Sequence, residues 1–515
     1  MVAAGILASR LAGLARTRIF SHFFGQQSVA ADAFNAAFRI PNLLQNLFGE
    51  GALSGSFIPV YAGLRARGDE EAAAQAARTF FAVLSSVIAV LVLVGMFASP
   101  WITPLIVPGF QGVKRELTIR LVRVLFPGAG FLVASAWCLG VLNSHGKFLL
   151  SYSAPVAWNA AMIATLLFFG PAHAGDLDSL AMYLAWGSVI GSFLQLAVQW
   201  PYARALSRHV GSMVLSEHVR QMGRNFMPIA ISRGAVQVAG FIDQWIASFL
   251  PTGAVTGLTN AQLIYTLPVS LFGISVSASE LPALSSVAAR AETETLRRRI
   301  DAALERLTFF VVPSAVGFAV LGDVIAGALL QTGRFRAADS QIVWGILAGS
   351  AIGLVASTQS RLYGVAHYAL HDAKTPLRYA LLRLVAVSGL GYVCALIVPP
   401  LIGIRPIWGT AGLTASAGVA GWIEFLLLRA SMTRRIGATG LPLAFMTRLW
   451  TSAIAAGTVG FLVKRALPWS GPLVRGAIVL PAFGLVYFGV AALLGIPVAT
   501  LLKGGRRRTD VRKEE

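Results

Sequence analysis

The sequence predicts an all-α polytopic membrane protein of about fourteen transmembrane helices, arranged as two six-helix lobes and two C-terminal helices. Apolar runs of about 20 residues recur from end to end, each long enough to cross a hydrocarbon core of about 30 Å. Of 515 residues, 56% are hydrophobic and only 12% charged, a composition foreign to soluble domains of this size. The runs are continuous and do not alternate, which excludes a transmembrane β-barrel. The net charge of +20 is accounted for by loop residues and by arginines within the spans, so nucleic acid is not an expected partner.

In chain order the expected spans lie near 2–22, 31–62, 79–104, 117–142, 151–170, 179–200 and 222–249. The remainder lie near 258–285, 303–328, 340–364, 375–400, 406–428, 445–464 and 473–500. The first carries Arg10 inside it and has no basic leader ahead, so a cleavable signal is not expected. Several spans contain proline, among them Pro41, Pro59, Pro228, Pro268 and Pro282; such breaks are tolerated where neighbouring helices or water satisfy the backbone. Cys138 and Cys394 both sit in apolar runs, which supports neither a disulfide framework nor a metal site. Lys and Arg concentrate in the loops that follow even-numbered spans, most densely at Arg297–Arg299 and in the tail Lys503–Lys513, so both termini are expected in the cytoplasm.

The chain reads as an internal duplication. Ser9-Arg10 leads by 49 residues to Pro59, and Ser232-Arg233 by the same 49 residues to Pro282. Each copy opens a block of about six spans, as in transporters built from repeats. The expected organisation is an N-lobe at 1–200, a C-lobe at 222–430, an added helix pair at 445–500 and a basic cytoplasmic tail at 501–515.

The first sixty residues are dense in ionisable groups for a membrane segment: Arg10, Arg16, Arg18, Asp32, Arg39 and Glu50. Charges at such depths cost about 2.5–3.5 kcal/mol each on insertion scales and usually face a protein-lined, water-filled cavity. Clustered arginines there point to an anionic cargo.

These residues carry a resemblance. Ser9-Arg10-Leu-Ala-Gly13, Phe24-Gly25, Asp32-Ala33-Phe34, Phe38-Arg39-Ile40-Pro41-Asn42-Leu43-Leu44 and Glu50-Gly51-Ala52 resemble the MurJ/MviN lipid II flippases of the MOP exporter superfamily. Gln331-Thr-Gly333-Arg334-Phe335 and Asp372-Ala-Lys374-Thr375-Pro376 resemble later segments of that family. The resemblance implies two lobes forming a V around a cationic cavity, arginines holding the diphosphate of an undecaprenyl-linked peptidoglycan precursor, and a groove for the prenyl tail at the last two spans. Arg10 and Arg16 match the family's first-span arginines, and Asp32 and Glu50 its acidic positions. The chain departs where the family usually has basic residues after Pro-Asn-Leu-Leu, here Gln45 and Asn46, and where it usually has an eighth-span arginine, here Gln262. Amides still donate hydrogen bonds to phosphate oxygens but carry no charge. Arg39, Arg18 and Arg233 are the cations left to compensate.

The expected substrate contacts are therefore Arg10, Arg16, Arg39, Gln45, Asn46 and Gln262. Arg10 and Arg16 lie about 240° apart around a helix, so they are expected either to serve different walls of a cavity or to have Arg16, with Arg18, snorkel to the headgroups. Asp32 and Glu50 gate the cavity or neutralise its arginines. Asp243 in the seventh span is expected to pair with Arg383 in the eleventh; a sodium ion at Asp243 is the alternative, and no other cofactor is expected. Glu280 is expected to partner a cytoplasmic arginine. His367 and Asp372 have an acyltransferase-like spacing, and Asp176 with Asp178 a metal-pair spacing, but neither has the accompanying motifs, and no Gly-rich phosphate loop points to ATP.

The expected function is a flippase translocating lipid II across the bacterial cytoplasmic membrane by alternating access, not an enzyme. The alternatives are a MOP-type flippase for another polyprenyl-linked saccharide, a drug/cation antiporter, a membrane enzyme of envelope synthesis, and an inactive scaffold. A cationic cavity argues against cationic drugs. The expected partners are the lipid-linked precursor, membrane lipids and envelope-synthesis proteins, with the chain a monomer.

Overall fold

A computed structural model describes residues 2–208, 214–290 and 292–502, with the side chains of residues 2–4, 6, 50, 235, 236 and 502 outside the description. All regular elements among the described residues are helices. They are α1 (Val2–Phe24), α2 (Val29–Phe48), α3 (Glu50–Ala66), α4 (Glu70–Ile106), α5 (Gly112–Ser144), α6 (Phe148–Phe169) and α7 (Leu177–Leu206). There follow α8 (Glu217–Ser248), α9 (Ala254–Pro268), α10 (Ser275–Ala289), α11 (Thr293–Leu330), α12 (Ala337–Ala369), α13 (Lys374–Tyr392) and α14 (Val398–Leu401). The last are α15 (Gly409–Ile436), α16 (Leu443–Ala466), α17 (Pro472–Leu493) and the short α18 (Val498–Leu502). Short π-helical turns join α9 to α10 and α13 to α14.

Ten helical segments among the described residues are long and apolar enough to cross a membrane. The other expected spans are also helical: α1, α2 with α3, α8 and α16. Those at 2–22, 31–62 and 222–249 are where the ionisable residues gather, which lowers their apolarity. The second span is two helices, because Gly49 is extended and its N–H closes onto Gln45 O at 2.8 Å. Local signals set several starts. The Ser28 hydroxyl caps α2 through Ala31 N, and Asp69 caps α4 through Ala72 N, both at 3.1 Å, satisfying donors that a helix start leaves open.

The chain divides into two compact units. One comprises the chain up to Thr256 together with Leu330–Arg336; the other comprises Gly257–Leu329 and the chain from Ala337. The first boundary falls later than the expected 222, because α8 packs on α2, α3 and α4.

Unit one is built around Trp137, Tyr61, Phe57 and Phe80, all buried. A buried polar chain ties three of its helices: Gln195 Nε2 donates to Ser135 Oγ at 3.0 Å, Ser135 Oγ to Gln199 Oε1 at 2.7 Å, and Gln199 Nε2 to Ser151 O at 3.2 Å. These bonds offset part of the cost of burying the polar groups, while Gln195 Oε1 and the Ser151 hydroxyl are left without a partner among the described residues. The segment Leu330–Arg336 docks on the end of α1. Arg334 N donates to His22 O at 2.9 Å, the His22 ring meets the Thr332 hydroxyl at 2.9 Å, and the Arg334 guanidinium donates to Ala174 O. Gly333 turns the chain there with φ +54°, and a Cβ would fall 2.5 Å from His22 O, so only glycine fits.

Unit two is centred on the α12–α15 crossing. A Cβ on Gly353 would lie 2.3 Å from Gly418 Cα, so two glycines let the backbones touch. Trp422 Nε1 donates to Ile352 O at 2.7 Å and Thr414 Oγ1 to Ile346 O at 2.9 Å across the same contact. The pair α16–α17 packs on α11 through Leu321, Val324 and Val479, and Lys464 Nζ binds Asp323 at 2.8 Å.

Candidate functional site: a polar and cationic tract in unit one

Asp32, in the first turn of α2, is completely buried. Its carboxylate accepts from Lys114 Nζ at 2.7 Å, Gly253 N at 2.9 Å, Thr256 N at 2.9 Å and Thr256 Oγ1 at 2.7 Å. The Lys114 ammonium also lies 4.0 Å from the Phe110 ring centroid. A buried carboxylate is costly unless paired and hydrogen-bonded, and here one bond comes from α5 and three from the Gly253–Thr256 segment. The partner is a lysine, not one of the cavity arginines. The group fastens the segment ahead of α9 to the start of α2.

Arg16 on α1 is half-buried. Its guanidinium sits 5.1 Å from the Trp158 ring and 5.8 Å from the Phe38 ring, and Nη1 contacts Met162 Sδ at 3.7 Å. Phe38 and Trp158 are themselves stacked, with centroids 5.7 Å apart. Aromatic faces orient the guanidinium, and a thioether sulfur is only a weak acceptor, which an oxyanion would displace from Nη1. Arg10, on the same helix, is exposed. Arg39 on α2 reaches across to α8. It lies 5.5 Å from the Phe241 ring, over Gly240, and within electrostatic reach of Asp243. Gln244 Nε2 donates to Ala36 O at 3.4 Å beside it.

Further along α2, Gln45 holds Gly49 through its carbonyl, and Asn46 lines a cavity of about 560 Å³. The other lining residues come from α8: Pro228, Ile229, Ser232, Arg233 and Gln237. The side chain of Glu50 lies outside the described residues; its backbone begins α3.

In unit two, Gln262 is exposed and its amide donates to Thr266 Oγ1 at 3.1 Å. Arg383 does not await Asp243. Its Nη1 donates to Glu424 Oε2 on α15 at 2.9 Å, while the charge facing Asp243 inside unit one is Arg39. Arg383 thus has a carboxylate partner within its own unit that the expected pairing with Asp243 did not include. The physical reason is that α13 packs on α15, which supplies a carboxylate to Arg383 directly. Glu280 is held by Arg299 at 2.7 Å, so it has the arginine partner that was expected.

The enzyme-like patterns resolve into ordinary structure. His367 is buried, its ring bonded to Tyr363 O and Ser431. Asp372 caps α13 through Lys374 N and Thr375 N, both at 3.1 Å, and pairs with Arg435. Asp176 caps α7 through Ser179 N at 3.1 Å. Both aspartates sit below the usual carboxylate range because these hydrogen bonds favour the ionised form.

Sequence reasoning missed Lys114, Thr256, Trp158 and Glu424. Lys114 and Thr256 lie 82 and 224 residues from Asp32, with no local pattern linking them. Glu424 did carry a signal, a lone carboxylate inside an apolar run.

The model of the family described as lipid II flippase MurJ matches residues 20–471. The lipid II flippase MurJ of Burkholderia cenocepacia is 30% identical over 518 residues, covering 96% of this chain and 96% of that protein. Among solved structures, a lipid II flippase MurJ in an inward closed conformation is similar at a TM-score of 0.74 and 22% identity, over 96% of this chain and 98% of the other. An inward-facing multidrug resistance MATE family transporter of the MOP superfamily is similar at 0.65 and 16% identity, over 83% and 95%. At these identities the solved structures bear on the fold alone.

Proposed function

The chain belongs to the lipid II flippase MurJ family, and from that premise we propose that it carries an undecaprenyl-diphosphate-linked peptidoglycan precursor from the inner to the outer leaflet by alternating access. It is a multi-pass inner-membrane protein of a transporter family. The observation that carries the proposal is the seat of Arg16, whose guanidinium is held against Trp158 and Phe38 while Nη1 donates weakly to the Met162 sulfur.

In this reading Arg10 and Arg16 take the diphosphate with charge-assisted bonds, and Arg39 lends further positive potential. Asn46 donates neutral bonds, and Gln45 shapes the break at Gly49. Asp32 acts as a latch, since releasing it frees Lys114 and the segment through Thr256 together. The prenyl tail stays in lipid beside α16 and α17. Both termini lie in the cytoplasm, on the strength of the Lys and Arg distribution, and the chain works as a monomer. Direction comes from an external bias: the membrane potential is worth about 2.3 kcal/mol per charge per 100 mV and, inside negative, favours outward movement of an anion.

The test is depletion of the protein in its host, with lipid-linked precursor measured on each leaflet. Accumulation on the inner leaflet, reversed by wild type and not by Arg10→Ala or Arg16→Ala, is the expected outcome. An unchanged leaflet distribution rejects the proposal.

A further inference from the structure

Arg233 lies midway along α8, where an unpaired guanidinium is expensive. Elsewhere in these spans the guanidinium has company: Arg16 its aromatic rings, Arg39 the charge of Asp243, Arg383 the carboxylate of Glu424. Among the described residues Arg233 has no hydrogen-bond or ion-pair partner. It is nevertheless placed, not loose. Its guanidinium lies flat over Gly51, where a Cβ would fall 1.8 Å from Cζ, so a bare backbone is its floor.

Arg233 lines the cavity of about 560 Å³ with Asn46, Ser232 and Gln237, and no carboxylate lines it among the described residues. One fixed cation and three neutral groups that can donate hydrogen bonds suit a multiply charged oxyanion larger than a single ion. Asn46 from α2 and Arg233 from α8 line the same cavity. We propose that Arg233, with Asn46, Ser232 and Gln237, binds the diphosphate of the lipid-linked cargo, so that the positive charge of this cavity comes from α8. This rests on the reading of the cargo as a polyprenyl diphosphate and adds a residue to its site.

The experiment uses the purified full chain in nanodiscs and measures binding of farnesyl diphosphate, with farnesol as the uncharged control. Wild type is expected to bind the diphosphate over the alcohol. Arg233→Gln is expected to weaken that binding at least about tenfold, since a hydrogen bond to a charged group is worth about 1.5–3 kcal/mol. Arg233→Lys should retain most of it. The decisive variant is Arg233→Gln with Asn46→Arg, which places the charge on α2 and should restore binding. Thermal unfolding of each variant separates loss of the site from loss of the fold. Equal binding by wild type and Arg233→Gln overturns the proposal while leaving the cargo reading intact; absence of diphosphate binding by wild type counts against the cargo reading itself. A third result also overturns it: Glu50→Gln restoring Arg233→Gln while Asn46→Arg does not, which makes Arg233 a neutraliser of Glu50.

Discussion

Thr256 gives Asp32 two hydrogen bonds at once, its backbone N–H at 2.9 Å and its hydroxyl at 2.7 Å, so one residue clamps one carboxylate oxygen from two sides. Removing the charge with Asp32→Asn strands Lys114, and breaking a buried pair from one side typically costs about 3–5 kcal/mol. Thr256→Val loses the hydroxyl bond to Asp32 and the one that the hydroxyl accepts from Asn35 Nδ2, keeps the backbone bond, and should cost about 1–3 kcal/mol. Unfolding of the purified protein reads both. Asp32→Asn should cost less in a Lys114→Met background than in wild type; equal cost in the two backgrounds refutes the coupling.

The neighbourhood of Asp243 makes a distinct prediction. Because Arg39 is the cation in its field, Asp243→Asn should be more damaging alone than combined with Arg39→Gln. Adding Arg383→Gln should give no rescue, since that change strands Glu424 instead. Flipping in proteoliposomes with and without sodium completes the test. Rescue of Asp243→Asn by Arg383→Gln restores the originally expected pair, and sodium dependence lost in Asp243→Asn points to a cation site.

Arg16→Lys keeps the charge and gives up the planar, stacked fork. Transport by Arg16→Lys should fall between wild type and Arg16→Ala, with Arg16→Ala down at least about tenfold. Trp158→Ala should weaken transport less than Arg16→Ala, because the charge remains and only its orientation loosens. Wild-type transport by Arg16→Ala removes this residue from the site.

Asp372 sets a pH dependence. Its hydrogen bonds from Thr375 and its pairing with Arg435 lower its carboxyl in the folded state. The stability it contributes is therefore present above the usual carboxylate value near 4 and is lost as the pH falls through the lowered folded value. Asp372→Ala should cost about 1 kcal/mol at neutral pH, the usual worth of a cap. The difference between mutant and wild type should vanish in strong acid. A difference that grows on acidification contradicts the assignment.

Gly353→Ala should destabilise unit two by about 1–3 kcal/mol or more, as overpacking does, because the new methyl meets the Gly418 backbone and not a movable side chain. Gly364→Ala, on the same helix with open space around it, is the control and should be nearly neutral. Equal effects of the two changes contradict the α12–α15 contact.

Most of the helical content was legible because hydropathy in a membrane chain is strong and local. The helix positions expected for the ten apolar spans and for the charged stretches fall on helices here. The break at Gly49 was not legible, because extended backbone at a glycine has no hydropathic signature. The arginines of α1 and α2 were legible as misfits in an apolar tract. Their partners were not: Trp158 for Arg16 and Lys114 for Asp32 are joined to them only by folding, and the pairing of Arg383 turned on which neighbour α13 packs against. That neighbour is α15, which brings Glu424 to Arg383.

The seven residues Leu330–Arg336 belong to unit one, although the helices on either side belong to unit two. The chain therefore passes between the units three times. Severing it between Thr256 and Gly257 leaves the first fragment missing a piece of its own structure, and the second fragment carrying that piece. The His22 and Ala174 carbonyls that receive Arg334 would be unoccupied until the two fragments met. Co-expressed halves of this protein should accordingly reassemble by complementation, with Gly333 as the residue whose replacement abolishes it.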